Sequence, residues 1–350
     1  MTTRLRKIIG DMEGYVPGEQ PRDGAHIKLN TNENPYPPAP RVLSALRGAT
    51  DRSLRLYPEP LGDSLRSLVA STYEVRAENV LAGNGSDELL SILVRCFVGK
   101  GDRALYPVPT YTLYDTLITI QEGEKTTVDY PADFSLPEEL YSREAALIFL
   151  CNPNSPSGTL VPLQQIEKLA RSVTGTLVVD EAYIDFAEGD DASALPLIHN
   201  FPNVVVLRSF SKSFSLAGMR IGLAFAPAEI IAAMIKVKDS YNVNRLSLAA
   251  ANAALQELSW MKRNVKRIQK TRKSLTRKLK SLGFVVYPSQ ANFVMARRPG
   301  ENLKSLYEEL KRRKILVRHF DAPGLQDSLR ITVGTPHEIE TLLQELAAIG

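Results

Sequence analysis

The stretch SFSKSFSLAGMRIG, Ser209 to Gly222, decides how the rest of the chain reads. It holds one lysine, Lys212, among Ser209, Ser211 and Ser213, with Arg220 eight positions on. The run VVVLRSF leads directly into it, and its continuous β-branched residues predict a buried strand rather than a half-exposed one. A lysine on the loop after such a strand is delivered to a sheet edge, where ligands bind.

Working outward, AALIFLCNPNSPSG predicts a buried strand that ends in an Asn/Pro/Gly loop carrying Asn152 and Asn154. The helix PLQQIEKLARSV and the strand TLVVDEAYIDF follow it. Strand, helix, strand in this order argues for a parallel sheet with right-handed crossovers. Asp180 stands immediately after LVV, and a buried carboxylate there needs a partner because an unpaired one is costly. Further upstream, NVLAGNGSDELLSILVRCFV predicts a short strand, a glycine turn and a helix capped by Ser86. Free amides at such a helix start form an anion site, so Gly85 and Ser86 are phosphate candidates. Asp87 and Glu88 read as first-turn acids that stabilise the helix itself. Tyr111 lies on a Pro-bounded turn in YPVPTYTLYD, a place for an aromatic that faces a ligand, and RLYPEP exposes Tyr57 on another turn.

The first 40 residues or so are rich in Pro, Gly and Asn and read as an N-terminal arm with a short strand at IKLN. Tyr15, Tyr36, Asn32 and their neighbours are odd in a segment that packs on nothing. Residues 41–246 are expected to form a large domain, and 247–350 a smaller α+β one. The small domain opens with a helical stretch holding ten Lys/Arg and no acid between Met261 and Lys280. One basic face on a chain of net charge +4 reads as a solvated surface and not as a nucleic-acid site. The two cysteines, Cys96 and Cys151, lie in apolar contexts without metal-ligand spacing and read as reduced core thiols of a cytoplasmic protein. No window approaches the ~20 apolar residues of a membrane span, and neither a targeting segment nor a metal is expected.

Chemistry ties these pieces together. An amine of lowered pKa forms a Schiff base with an aldehyde, and serine hydroxyls and an arginine beside it are phosphate ligands. A phosphate-bearing aldehyde that needs a lysine is pyridoxal 5'-phosphate. Such a cofactor also needs an acid to keep its pyridine nitrogen protonated, and Asp180 supplies one.

The chain resembles the fold-type I, aspartate-aminotransferase-like superfamily of pyridoxal-phosphate enzymes, and within it the histidinol-phosphate aminotransferase family. KLNTNENP, RLYPEP, NPNSPSG, VVDEAYIDF, RSFSKSFSLAGMRIG and LRITVG carry the resemblance, which spans nearly the whole chain. It implies an α/β fold, with a large, mostly parallel sheet flanked by helices and a smaller C-terminal α+β domain. It implies that Lys212 bonds the cofactor, Asp180 pairs with the pyridine nitrogen and Tyr183 hydrogen-bonds the ring's phenolic oxygen. Ser209, Ser211, Arg220 and the amides of Gly85 and Ser86 would hold the phosphate, with Tyr111 against the ring. Tyr57 would reach the neighbouring subunit's site in a homodimer. Arg330, helped by Arg318, would anchor the substrate's far anionic group, with Tyr15 and Asn32 also at the substrate.

One departure matters: family members commonly read PNNPTG where this chain has PNSPSG, so Ser155 stands where an asparagine often contacts the phenolic oxygen, and Asn154 or Asn152 is the expected substitute. The implied reaction is transamination between L-histidinol phosphate and 2-oxoglutarate, giving imidazole-acetol phosphate and glutamate. The alternatives are an aromatic or broad-specificity aminotransferase and a threonine-phosphate-type decarboxylase. A regulator of this fold fused to a DNA-binding module is not expected, because the segment ahead of KLNTNENP is too short to hold one.

Overall fold

Among the described residues seven strands make the central sheet, in the spatial order Val80–Gly83, Gly222–Phe225, Val204–Ser209, Thr176–Asp180, Leu147–Cys151, Arg103–Val108, Glu124–Asp129. The computed structural model describes residues 4–21, 26–189 and 191–349. Gly222–Phe225 runs antiparallel to both neighbours, and the remaining pairs are parallel. The carboxyl ends of Val80–Gly83, Val204–Ser209, Thr176–Asp180, Leu147–Cys151 and Arg103–Val108 therefore share one edge. The amino end of Gly222–Phe225 arrives there too, with Gly222 in register with both Gly83 and Ser209.

The continuous apolar runs are buried on both faces. Leu147 and Phe149 enter one core cluster while Ile148 and Leu150 enter the other, as the two-residue period of a strand requires. Helices Ser86–Phe97 and Ala228–Val237 cover the first face, and Leu163–Ser172 covers the second through Ile166, Leu169 and Ala170.

The C-terminal part holds an antiparallel sheet in the order Arg318–His319, Ser328–Thr332, Phe293–Arg297, Val285–Val286. The segment KILVRHF is split between two sheets, because Ile315–Leu316 pairs with Ile27–Lys28 of the arm while Arg318–His319 joins the small sheet. The arm is thereby sewn onto the small domain, and Leu29 O also accepts from Thr332 N at 2.9 Å. The expected domain boundary at 246/247 falls inside helix Arg245–Leu255, which packs against helix Pro40–Ala49. Helix Leu258–Ser281 then crosses to the small sheet.

That helix does not carry a wholly solvated basic face. Arg272 is buried, donating through Nη1 to Phe186 O and Ala291 O and pairing through Nη2 with Glu188 at 3.0 Å. Its guanidinium thus ties the turn after Tyr183 to the small domain. Among the described residues no helix is long and apolar enough to cross a membrane.

Candidate active site

A cavity opens at the shared strand edge, roofed by the arm and by the small-domain strands. Val204–Ser209 delivers Lys212 into it, and the arm holds the lysine loop from outside. Asn34 Nδ2 donates to Lys212 O at 3.0 Å and Ser213 O at 3.1 Å. From below, Ser213 Oγ donates to Asp185, whose neighbour Arg208 pairs with the fully buried Glu181 at 3.2 Å. Lys212 Nζ donates to Thr31 O at 3.1 Å. Burial, reinforced by the Arg330 guanidinium, pushes its amine down to about 8.

Asp180 comes from the adjacent strand end and is only 3% exposed. Its Oδ2 accepts from Tyr114 Oη at 2.9 Å and its Oδ1 from Ala182 N at 3.2 Å, both neutral donors. Burial pushes the carboxyl up to about 6 against these bonds. Tyr114 also stacks on Phe149 at 4.5 Å, so the acid rests on an apolar shelf.

The phosphate-type donors meet across the antiparallel strand. Ser86, Ser209, Ser211 and Arg220 line the cavity, and Ser211 N donates to Ser209 Oγ at 3.1 Å. Gly222 lets the turn before Ser86 lie against the strand, since a Cβ there would meet Ser86 N at 2.5 Å. Gly85 is needed twice over, for its φ of +84° and because a Cβ would meet Arg220 Nη2 at 2.5 Å. Gly85, not Ser86, is the N-cap, and Ser86 makes no side-chain cap bond, which leaves its hydroxyl for the cavity. Arg220 itself sits at φ 51°, a left-handed conformation unusual for a residue with a Cβ.

Tyr111, Tyr183, Arg318, Arg330, Tyr15 and Asn32 line the same space. Tyr15 of the arm meets Tyr111 edge-on at 5.9 Å. Burial pushes the Tyr183 hydroxyl up to about 12. Asn32, expected at the substrate, has its side chain committed elsewhere. Its Nδ2 donates to Tyr183 Oη and its Oδ1 accepts from Thr332 Oγ1, both at 3.0 Å. It holds the tyrosine in place. Arg330 Nη1 donates to Ser155 Oγ at 2.9 Å and Nη2 to Asn30 O at 3.1 Å, while its Nε is buried without a hydrogen-bond partner among the described residues.

Four expected residues do not line the cavity: Gly85, which sits behind Ser86 at the helix start, and three that point elsewhere. Asn152 exchanges two hydrogen bonds with the Val161 backbone, and Asn154 is held by Thr110, Pro109 and Ser157. Both amides brace the Asn/Pro/Gly loop, and Ser155 is the member that faces inward. Tyr57 is 77% exposed, stacked on Tyr241 at 4.4 Å, and is not brought to the cavity by its own chain. Sequence reasoning gave no site role to Asp87, Tyr114, Asn34 or Thr31. A buried tyrosine or a backbone carbonyl leaves no pattern to read, whereas Asp87 stood beside the phosphate candidates and was read as a helix-start acid.

Residues 25–346 match the model of the class I and II aminotransferases. The chain is 43% identical over 348 residues to histidinol-phosphate aminotransferase 1 of Trichormus variabilis, covering 99% of each chain. It is 44% identical over 348 residues to the histidinol-phosphate aminotransferase of Geotalea daltonii, again covering 99% of each. Among solved structures, the histidinol-phosphate aminotransferase of Sinorhizobium meliloti in complex with pyridoxal-5'-phosphate superimposes with a TM-score of 0.91 at 25% identity, over 100% of this chain and 99% of that one. With its sheet edge, its cavity and its full-length relatives in agreement, the chain belongs to the class I and II aminotransferases, in the histidinol-phosphate aminotransferase family.

Proposed function

We propose that this chain catalyses pyridoxal-phosphate-dependent transamination of L-histidinol phosphate with 2-oxoglutarate, a step of histidine biosynthesis. The observation that carries this reading is Lys212, an amine pushed down to about 8 in a cavity that also holds a buried acid and an arginine on either side. The donor set fits the cofactor. Among the described residues the hydrogen-bond donors to Asp180 are neutral, so a ring N–H⁺ is the partner its charge would take. Arg220, Ser209, Ser211 and the Ser86 amide offer a phosphate charge, hydroxyls and a helix start together. When bound, pyridoxal phosphate supplies an electron sink conjugated to the substrate's Cα.

The chain's own residues do the rest. Lys212 Nζ would hold the cofactor's aldehyde carbon and, as a free amine, would be the group that carries the proton taken from the substrate's Cα. Tyr183 Oη would donate to the cofactor's ring oxygen, and Asn32 orients it. Arg330 and Arg318 hold the substrate's far anion, phosphate in one half-reaction and carboxylate in the other, because a planar guanidinium matches both oxyanions. The exposed Tyr57 supports a homodimer in which it completes the neighbour's phosphate site. A cytoplasmic setting suits the free thiols of Cys96 and Cys151. A coupled assay of histidinol phosphate against phenylalanine, tyrosine and aspartate tests the substrate: the highest kcat/KM is expected for histidinol phosphate with glutamate formed. Preference for an aromatic amino acid, or an amine product with carbon dioxide, would refute it.

A further inference from the structure

Asp87 has no part in the reading above, yet it touches two of its members. Its Oδ2 accepts from Arg220 Nη2 at 3.0 Å and its Oδ1 accepts from Tyr111 Oη at 3.1 Å. One carboxylate therefore spans the arginine on the phosphate side of the cavity and the tyrosine on its ring side. Its place in the first turn of helix Ser86–Phe97 accounts for an acid there but not for the use of both oxygens by cavity residues.

We propose that Asp87 is a positioning residue that sets Arg220 and Tyr111 as one unit before the cofactor enters. The inference rests on the reading of the cavity as a pyridoxal-phosphate site. Two effects of opposite sign compete. The negative charge opposes an incoming phosphate, while the two hydrogen bonds fix where the arginine and the tyrosine point. The Asp87 and Arg220 side chains are 44% and 43% exposed, so solvent and salt weaken the through-space repulsion. Contact bonds need no such range, and Arg220 has little else to aim it. Its Nη1 contacts, to Ser211 Oγ at 3.4 Å and Ala217 O at 3.5 Å, are long. Orientation outweighs repulsion, and the carboxylate favours cofactor binding.

Titration of apoprotein with pyridoxal phosphate, followed by absorbance and by quenching of protein fluorescence, tests this without reference to turnover. Asp87→Ala is expected to raise the Kd by about ten- to a hundredfold, the scale of losing a charge-assisted hydrogen bond. Tyr111→Phe keeps the ring and loses only the hydroxyl, so it should cost less. The double variant should bind about as well as Asp87→Ala alone, because the hydroxyl acts through the carboxylate. Pyridoxal, which lacks the phosphate, should lose less affinity than pyridoxal phosphate. If Asp87→Ala fails to fold, Asp87→Asn, with one acceptor oxygen left, serves the same test at an intermediate Kd. A wild-type or tighter Kd in these variants, or losses that simply multiply in the double variant, would overturn the proposal. Wild-type apoprotein that takes up no pyridoxal phosphate would instead overturn the cofactor reading itself.

Discussion

Replacing Asp180 by Asn should make the apoprotein more stable while destroying its activity. The wild-type carboxyl is displaced from 3.8 to about 6 by burial, which at about 1.4 kcal/mol per unit of pKa costs the folded apoprotein on the order of 3 kcal/mol at pH 8. The sign follows from a raised acid: the folded state holds its proton longer than the unfolded state. The cost is therefore absent below about pH 4, grows as pH rises through the window between 3.8 and about 6, and is complete above it. Asn can keep both local bonds, accepting from Ala182 N through Oδ1 and donating to Tyr114 Oη through Nδ2. Urea unfolding of apo wild type and apo Asp180→Asn at pH 8 and pH 5 reads the difference directly. The variant should gain on the order of 3 kcal/mol at pH 8 and about half of that at pH 5. In the presence of cofactor the advantage should shrink, because only the wild-type carboxylate can pair with the ring nitrogen. Turnover should fall by roughly two or more powers of ten. An apo variant no more stable than wild type at pH 8 would refute the argument that Asp180 is held charged at a cost until a cation reaches it.

Arg330→Lys keeps a charge but loses the two-donor geometry and the bond to Ser155, so both half-reactions should lose about ten- to a hundredfold in kcat/KM with cofactor affinity unchanged. Loss of the cofactor, or no effect on histidinol phosphate in steady-state kinetics, would remove this arginine from the substrate site. Mixing inactive Tyr57→Ala and Lys212→Ala subunits should restore part of the activity, because one site of a hybrid dimer would be intact. No recovery in hybrids isolated by differential tagging would mean that one chain builds the whole site.

The fold was legible because buried parallel strands write themselves as unbroken apolar runs, and the residues at their carboxyl ends, Asp180 and Lys212 among them, fall on one edge by topology alone. Side-chain direction inside an irregular loop has no such rule. The sequence reading favours Asn154 or Asn152 over Ser155, and only backbone geometry turns the two amides onto the loop and the serine toward Arg330. Arg272 shows the complementary failure, since a basic run looks solvated until a buried pair of carbonyls is seen to claim one of its members. Asn32 is expected at the substrate, but its hydrogen bonds depend on Thr332, 300 residues away, which no local reading could supply.

The central claim is that Lys212 is the residue that bonds the cofactor. Apoprotein loaded with pyridoxal phosphate, reduced with borohydride and mapped by peptide mass spectrometry tests it most directly. The label is expected on the peptide containing Lys212, with visible absorbance lost on reduction and no labelling in Lys212→Ala. Label on any other lysine, or undiminished labelling in Lys212→Ala, would contradict the account.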